Sequence, residues 1–425
     1  MRLRFIVNTL LFILSPFLAL AATPADKGFV TVSDGEFILR GKPYRYIGTN
    51  FWYGPLLGSK TDAGDRERLG RELDSLQALG IDNLRVLAGG EGDRRIDCHI
   101  EPNLQTSPGV YDENVFVGLD YLLAELEKRD MRAVIYLTNS WEWSGGYGTY
   151  LEWAGYPEAP LPSKDYKAYT KYASQFITEP KALKMYEDHV RKVVSRVNTI
   201  TGKPYSDSPA IMAWQISNEP RSFDRKNAGK FKDWLISSAK LIKSVDKNHL
   251  VSTGSEGYNG CEGDLELWAE IHNDPAIDYA LIHIWPMNWS WVKRDNLDGT
   301  FQDGIDQTIE YIDVHRAKTS KPLVIEEFGF PRDSLAYSTG TPVKLRDIYY
   351  KTVLDAVKAD GAVNGANFWG WGGAVTPVHE TWHPGDPYTG DPAQEPQGLY
   401  SVFSSDTTTT SIIREANARL KKESK

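Results

Sequence analysis

The stretch IMAWQISNEP, residues 211–220, joins an apolar run to a polar ending. On both sides of it, over residues 186–197 and 231–245, apolar residues recur at the spacing of an amphipathic helix. A strand between two helices is the repeating unit of a parallel sheet, because parallel neighbours need a crossover connection. The stretch therefore predicts a buried parallel strand whose carboxyl end carries Asn218 and Glu219.

Working outward from this strand, similar short runs alternate with helical patterns along the whole chain. They occupy residues 45–50, 83–88, 132–138, 211–219, 250–256, 279–285, 322–328 and 365–371. Alternation of this kind gives a parallel sheet with right-handed crossovers, and eight such units close into a barrel. We predict an α/β fold, a (β/α)8 TIM barrel with long loops on its C-terminal face. Residues 30–46 predict an N-terminal β-hairpin that covers one end.

Composition narrows the possible functions. The 425 residues include 48 basic and 57 acidic side chains, which give a net charge of −9. Without clustered positive charge, a nucleic-acid partner is not expected. The 13 tryptophans and 22 tyrosines exceed what core packing requires, and such rings bind the flat faces of sugars. The two cysteines, Cys98 and Cys261, leave open whether a single disulfide forms.

The N-terminus has the three parts of a secretory signal peptide. Arg2 and Arg4 precede an apolar stretch over residues 5–20, and small residues follow up to Ala22. We expect residues 1–22 to be removed and residues 23–425 to form a single catalytic domain. The stretch is too short and broken for a stable membrane span, so the location predicted is secreted or periplasmic.

Two predicted strands end in carboxylates. Glu219 ends the fourth run, and Glu326 and Glu327 lie near the end of the seventh. A retaining glycosidase needs one carboxylic acid to protonate the leaving oxygen and a second carboxylate to attack the anomeric carbon. Because side chains alternate along a strand, Glu326 and Glu327 are expected on opposite faces. The alternative is that these groups only cap loops or form surface ion pairs.

Five motifs at strand ends resemble those of glycoside hydrolase family 5, a clan-A family of (β/α)8 retaining enzymes, and within it the β-mannanase subfamily. They are NLRV at 83–86, NEP at 218–220, HIWPMNW at 283–289, EFG at 327–329 and FW at 368–369. The resemblance implies a mannan endo-1,4-β-mannosidase that acts on β-mannan or manno-oligosaccharides. It implies no cofactor and no metal, and we expect a monomer.

The resemblance also assigns roles to residues at the carboxylate pair. Glu219 matches the general acid/base, and Glu327, which precedes Phe-Gly, matches the nucleophile. Asn218 is expected to bind the 2-hydroxyl of the sugar that is cleaved. Arg85 is expected to keep Glu327 ionised, and His283 to orient both carboxylates, although a histidine in an apolar strand is often only a core residue.

Further substrate contacts are expected from aromatic residues in the loops. Trp369 matches the platform under the central sugar, and Trp141 and Trp285 are expected to contact neighbouring rings. Many relatives carry tyrosine where this chain has Trp285, so the hydrogen bond from that position must come from an indole. Asn139, after the third strand, is expected as a further polar contact.

The sequence HETWH, residues 379–383, fits the H-E-x-x-H pattern of zinc proteases. That chemistry needs both histidines on one helical face. Pro377 and Pro384 flank the motif closely, which makes a continuous helix implausible. We therefore predict a structural or substrate-binding loop after the last strand.

Other functions remain compatible with the same residues. Long loops that close one end of the cleft would give an exo-acting β-mannosidase, and a different sugar preference would give a β-1,4-glucanase. A sugar-binding protein that has lost catalysis would use the same aromatic surface.

Overall fold

A barrel of eight parallel strands lies at the centre of the protein, for which a computed structural model describes residues 28–93, 98–358 and 362–423. The predicted signal peptide, residues 1–22, lies outside these described residues. The strands are β1 (Val30–Ser33), β2 (Glu36–Leu39), β3 (Lys42–Pro43), β4 (Tyr46–Asn50), β5 (Asn83–Leu87), β6 (Gln105–Ser107), β7 (Val110–Tyr111), β8 (Arg132–Tyr136), β9 (Ile211–Gln215), β10 (Leu250–Ser252), β11 (Ala280–Ile284), β12 (Leu323–Phe328), β13 (Gly365–Phe368), β14 (Trp371–Gly373) and β15 (Val402–Phe403).

Helices follow the barrel strands on the outside. They are α1 (Gly54–Gly58), α2 (Arg66–Ala78), α3 (Glu113–Lys128), α4 (Gly146–Trp153), α5 (Tyr166–Ala173), α6 (Pro180–Val194), α7 (Ala228–Val245), α8 (Leu265–Asn273), α9 (Leu297–Arg316), α10 (Lys344–Asp355) and α11 (Thr407–Glu423). Helix α3 shows how the sequence sets such an element. The Asp112 carboxylate caps its N-terminus by accepting from the Asn114 amide at 2.8 Å, and Leu119, Leu122 and Leu126 form its buried face.

The strand order is β10-β9-β8-β5-β4-β13-β12-β11, and every neighbouring pair is parallel. Hydrogen bonds also cross the seam between the first and last of these strands: the Asp278 amide donates to the Val251 carbonyl at 2.8 Å, and the Ser252 hydroxyl donates to the Tyr279 carbonyl at 2.7 Å. The predicted (β/α)8 barrel is confirmed.

The N-terminal hairpin closes one end of the barrel, as predicted. Strands β1 and β2 are antiparallel, and β3 adds a third strand where the sequence indicated only a turn. The Phe37 side chain is buried, and its ring packs 5.3 Å from that of Tyr279 and 6.3 Å from that of Tyr46. The carboxyl ends of the strands, where barrel proteins usually carry their functional loops, lie at the opposite end.

A β-bulge in β12 overturns the expectation that its two glutamates face opposite sides. Ile282 of β11 pairs with Ile325, but the next residue, His283, pairs with Glu327, so Glu326 is an extra residue in the ladder. Such an insertion locally breaks the alternation of side chains. Both carboxyl groups therefore reach the same buried arginine inside the barrel.

The described residues also bear on whether a disulfide forms and on whether a helix could cross a membrane. Among the described residues, Cys98 and Cys261 are not joined to each other in a disulfide. Among the described helices, none combines the length and the apolar character that a membrane crossing requires.

Candidate active site

Glu219 and Glu327 meet at the mouth of the barrel, on either side of His283. One oxygen of each carboxyl group and a ring nitrogen of His283 all lie within 4.8 Å of one another. The His283 Nδ1 is 2.9 Å from Glu219 Oε1 and 3.3 Å from Glu327 Oε2. The strands β9, β11 and β12 thus bring together three residues that are far apart in the sequence.

His283 is a buried cation between these carboxylates. Burial alone would lower the pKa of its imidazole, but the charge of Glu327 and hydrogen bonds to both glutamates outweigh burial and raise that pKa to about 9. A protonated ring donates from Nδ1 to the two carboxyl groups. His283 therefore holds both groups in place and compensates part of their charge.

Arg85, on β5, is the second buried cation and contacts the pair from below. Its Nη1 donates to Glu327 Oε1, its Nη2 to Asn218 Oδ1 at 2.8 Å, and its Nε to Gln215 Oε1 at 2.9 Å. The guanidinium also stacks 4.5 Å over the Tyr136 ring. Burial would raise the pKa of Glu327, but His283 and Arg85 lower it below its usual value, so the carboxylate is ionised.

The pKa of the neighbouring Glu326 is shifted in the opposite direction. It is fully buried, and burial raises its pKa despite the Arg85 Nε at 3.7 Å. The Gln215 amide and the Tyr279 hydroxyl bind its carboxyl group. Two adjacent glutamates are thus distinguished by their surroundings, which lower the pKa of Glu327 and raise that of Glu326.

The backbone at Glu219 is held in an unusual conformation. Its φ is +44°, in the left-handed region that residues with a Cβ seldom adopt. The Glu219 amide donates to the Gly254 carbonyl at 2.9 Å, and a Cβ at Gly254 would lie only 1.7 Å from the Ser217 carbonyl oxygen. Close approach of these two loops fixes the carboxyl group, which also accepts from the Trp141 indole at 2.5 Å.

A cavity of about 1000 Å³ opens over the carboxylates. The indole N–H of Trp285 donates to Glu327 Oε2 at 3.2 Å, so it supplies the hydrogen bond expected at that position. Trp369 packs edge-on against Trp285 with ring centroids 6.1 Å apart, and its peptide bond to Gly370 is cis. These rings and Trp141 present flat apolar faces beside acid groups, an arrangement suited to a sugar chain.

The predicted residues divide into cavity walls and supports. Six of them line the cavity: Trp141, Asn218, Glu219, Trp285, Glu327 and Trp369. Arg85 and His283 lie directly behind the carboxylates. Asn139 is not brought to the cavity wall; its side-chain oxygen accepts from Asn218 Nδ2 at 3.1 Å and from the Trp141 amide at 3.0 Å. It supports two wall residues.

Sequence reasoning missed a second charged pair in the wall. The Arg221 guanidinium binds Glu256 through two hydrogen bonds and lies 5.5 Å from the Trp141 ring. Glu256 ends the fifth predicted run, so its strand-end position was the available signal. Arg221 directly follows the Asn-Glu-Pro motif.

Glu395, in the loop before β15, is a third carboxyl group in the cavity and was also missed. Burial, followed by the charges of Asp391 and Glu327, raises its pKa well above the usual value. Within the described chain its Oε2 has no hydrogen-bond partner although it is buried. This buried oxygen is available for a hydrogen bond with a ligand hydroxyl. No local motif marked it, because the loop's path depends on tertiary packing.

Known proteins resemble this chain along most of its length. A family model described as GH family 5 beta-mannosidase-like matches residues 27–425. The chain is 32% identical to mannan endo-1,4-beta-mannosidase 1 of Arabidopsis thaliana, over 80% of this chain and 81% of that protein. It is 30% identical to mannan endo-1,4-beta-mannosidase 1 of Oryza sativa subsp. japonica, over 80% and 78%.

Two solved structures are also similar to this chain over most of its length. The glycoside hydrolase family 5 mannosidase from Rhizomucor miehei is 34% identical, with a TM-score of 0.86 over 95% of this chain and 99% of that one. The endo-beta-1,4-mannanase from Thermotoga petrophila is 25% identical, with a TM-score of 0.67 over 89% and 77%.

The buried imidazolium makes stability depend on pH in the alkaline range. Because the pKa of His283 is about 9 in the folded protein and roughly 6.5 in the unfolded chain, its contribution is fully present below pH 6.5. It is lost as pH rises through 9. We expect His283→Gln to destabilise the protein most at pH 6. There it should lower the free energy of unfolding by about a few kcal/mol and the thermal midpoint with it.

The test compares thermal midpoints of the wild type and His283→Gln between pH 6 and 9.5. The difference should narrow as pH rises. A constant difference over this range would show that His283 is neutral when folded.

Proposed function

The chain belongs to glycoside hydrolase family 5, and on that basis we propose that it hydrolyses β-1,4-mannosidic bonds in mannan-type polysaccharides by double displacement. One observation carries the proposal: oxygens of Glu219 and Glu327 lie within 4.8 Å of each other. Retaining glycosidases have carboxyl groups roughly 5–5.5 Å apart, whereas inverting enzymes leave roughly 6.5–9.5 Å for a water molecule. The spacing supports direct attack by a carboxylate.

In the first step, Glu327 attacks the anomeric carbon while Glu219 gives its proton to the departing glycosidic oxygen. The hydrogen bonds from Arg85 and Trp285 keep Glu327 ionised and aimed. Asn218, held by Arg85, is placed to bind the 2-hydroxyl, where the hydrogen bond strengthens as the ring gains oxocarbenium character. The product is a mannosyl ester of Glu327, and the leaving chain departs with a new hydroxyl group.

In the second step, water replaces the leaving chain. Glu219, now ionised, takes a proton from the water, whose oxygen attacks the anomeric carbon and releases the Glu327 carboxylate. Two inversions give net retention. His283 contacts both carboxyl groups. It therefore stays beside the pair in both steps, while the negative charge passes from one carboxyl group to the other.

Substitution of either carboxylate tests this assignment. Glu219→Ala and Glu327→Ala should each lower kcat on mannan by about 10³-fold or more, because each removes a reacting group. Glu326→Gln is the matched control: it changes an adjacent carboxyl group that does not line the cavity, so a loss of no more than about tenfold is expected.

Activity is measured as reducing-end release, and circular dichroism checks that each variant folds. Proton NMR of the first product should show the β anomer. Unchanged activity in either alanine variant, or an α anomer formed first, contradicts the assignment.

The family members from Arabidopsis and rice are named as endo-acting enzymes, and we propose endo action here. The cavity is large for a single sugar ring, and aromatic residues line it from Trp141 to Trp289. Mannohexaose should therefore yield mannobiose, mannotriose and mannotetraose at the earliest times, with little turnover of cellohexaose as the control. Early release of mannose alone would contradict endo action, and preferred cleavage of cellohexaose would identify a β-1,4-glucanase.

An exo-acting β-mannosidase is the second candidate. The structure is more similar to the Rhizomucor miehei mannosidase, with a TM-score of 0.86, than to the Thermotoga petrophila endo-mannanase, with 0.67. Gln394 and Glu395 also form part of the cavity wall, where a loop could close one end of the cleft. The same mannohexaose time course separates the two modes.

We also propose that residues 1–22 direct export of the enzyme and are removed in that process. The positive residues, apolar stretch and small residues of this segment support export. N-terminal sequencing of the protein from the medium or periplasm of its own cells should begin at Thr23. Retention of Met1 in protein found only in the cytoplasm would contradict this.

A further inference from the structure

The loop from residue 374 to residue 401 carries a group of side chains that the proposed reaction does not use. Six histidines of the chain are buried: His99, His189, His249, His272, His283 and His315. The other two, His379 and His383, have exposed side chains at 53% and 58%. Their rings are in contact, with centroids 4.6 Å apart. Both histidines lie in this loop.

Asp386 completes the group. Its Oδ2 is 2.8 Å from the Nδ1 of His379 and 3.7 Å from the Nδ1 of His383. One ligand atom from each of the three residues lies within 4.8 Å of the other two. In a tetrahedral zinc site, ligand atoms lie about 2.0–2.2 Å from the metal and hence about 3.3–3.6 Å from each other. Small rotations of exposed rings reach that spacing.

Hydrogen bonds within the turn hold the aspartate in position. The His383 amide donates to Asp386 Oδ2 at 3.0 Å, and the Asp386 amide donates to the His383 carbonyl at 2.9 Å. The Trp382 indole binds the Asp386 carbonyl at 3.3 Å. A tight turn therefore presents the carboxylate to the two imidazoles, so little ordering is required when a metal binds.

Glu380 takes no part in this group. Its Oε2 accepts from the Tyr337 hydroxyl at 2.6 Å, and its carbonyl accepts from the Gln397 amide at 2.8 Å. Residues 379–383 are not helical, as predicted from the flanking prolines. The residue that would act as the general base of a zinc protease is thus bound elsewhere.

We propose that His379, His383 and Asp386 form a surface site for one divalent transition-metal ion, with zinc as the best match. Two imidazoles and one carboxylate suit zinc more than calcium or magnesium, which prefer oxygen ligands. Water completes the coordination. The metal connects the two ends of the turn over residues 379–386. Within this turn the Trp382 ring stacks on that of Tyr388, with ring centroids 5.7 Å apart. The role of the metal is to stabilise the loop that also carries Glu395 into the cavity.

The test uses the full-length enzyme after EDTA treatment and dialysis, titrated with zinc chloride in a calorimeter. We expect one zinc ion per chain and a higher thermal midpoint in its presence. His379→Gln, His383→Gln and Asp386→Asn should each weaken binding by more than about tenfold. Because the two histidine side chains are exposed, at 53% and 58%, the two histidine variants without zinc should unfold near the wild-type temperature.

Glu380→Gln is the matched control, since it changes a charge between the two histidines without removing a ligand; it should bind zinc like the wild type. Activity distinguishes this site from the catalytic group, because zinc on Glu219, His283 and Glu327 would inhibit hydrolysis. Absence of binding, or binding that is unchanged in all three ligand variants and is accompanied by inhibition, would overturn the proposal.

Discussion

Two buried cations, Arg85 and His283, determine how the active end of the barrel is arranged. Burying a carboxylate is costly unless it is paired and fully hydrogen-bonded. Arg85 binds Glu327 from below and His283 binds it from the side. The same two cations also contact Asn218 and Glu219. The positions of Glu219 and Glu327 therefore follow from charge compensation inside the barrel.

This compensation also separates groups that are chemically alike. Glu326 and Glu327 are adjacent and both reach Arg85, yet their pKa values shift in opposite directions. The bulge in β12 places Glu327 beside two cations, and it leaves Glu326 deeper, beside the neutral Gln215 and Tyr279. The proposed nucleophile must be ionised at working pH, and the direction of these pKa shifts favours Glu327 over Glu326 for that role.

The sequence was sufficient for the barrel and for the carboxylate pair, because strand periodicity and strand-end position have direct structural meaning. Glu219 and Glu327 lie where those rules put them. The inward position of Glu326 was not predictable, since a bulge is a property of pairing between strands. Asn139 lies at the strand end where it was predicted. Its contacts with Asn218 and Trp141, which its position in the sequence did not indicate, make it a support for those two residues. Glu395 depends on the path of a long loop, which no local pattern specifies.

The most direct test of this account is covalent trapping of the enzyme with a 2-deoxy-2-fluoro-mannosyl fluoride, followed by peptide mass spectrometry. The fluorine at C2 slows both formation and breakdown of the glycosyl ester, whereas the reactive fluoride leaving group speeds its formation. The ester therefore accumulates. The account predicts one sugar per chain, attached to Glu327. Attachment to Glu326 or Glu219, or complete turnover with inversion and no adduct, would contradict it.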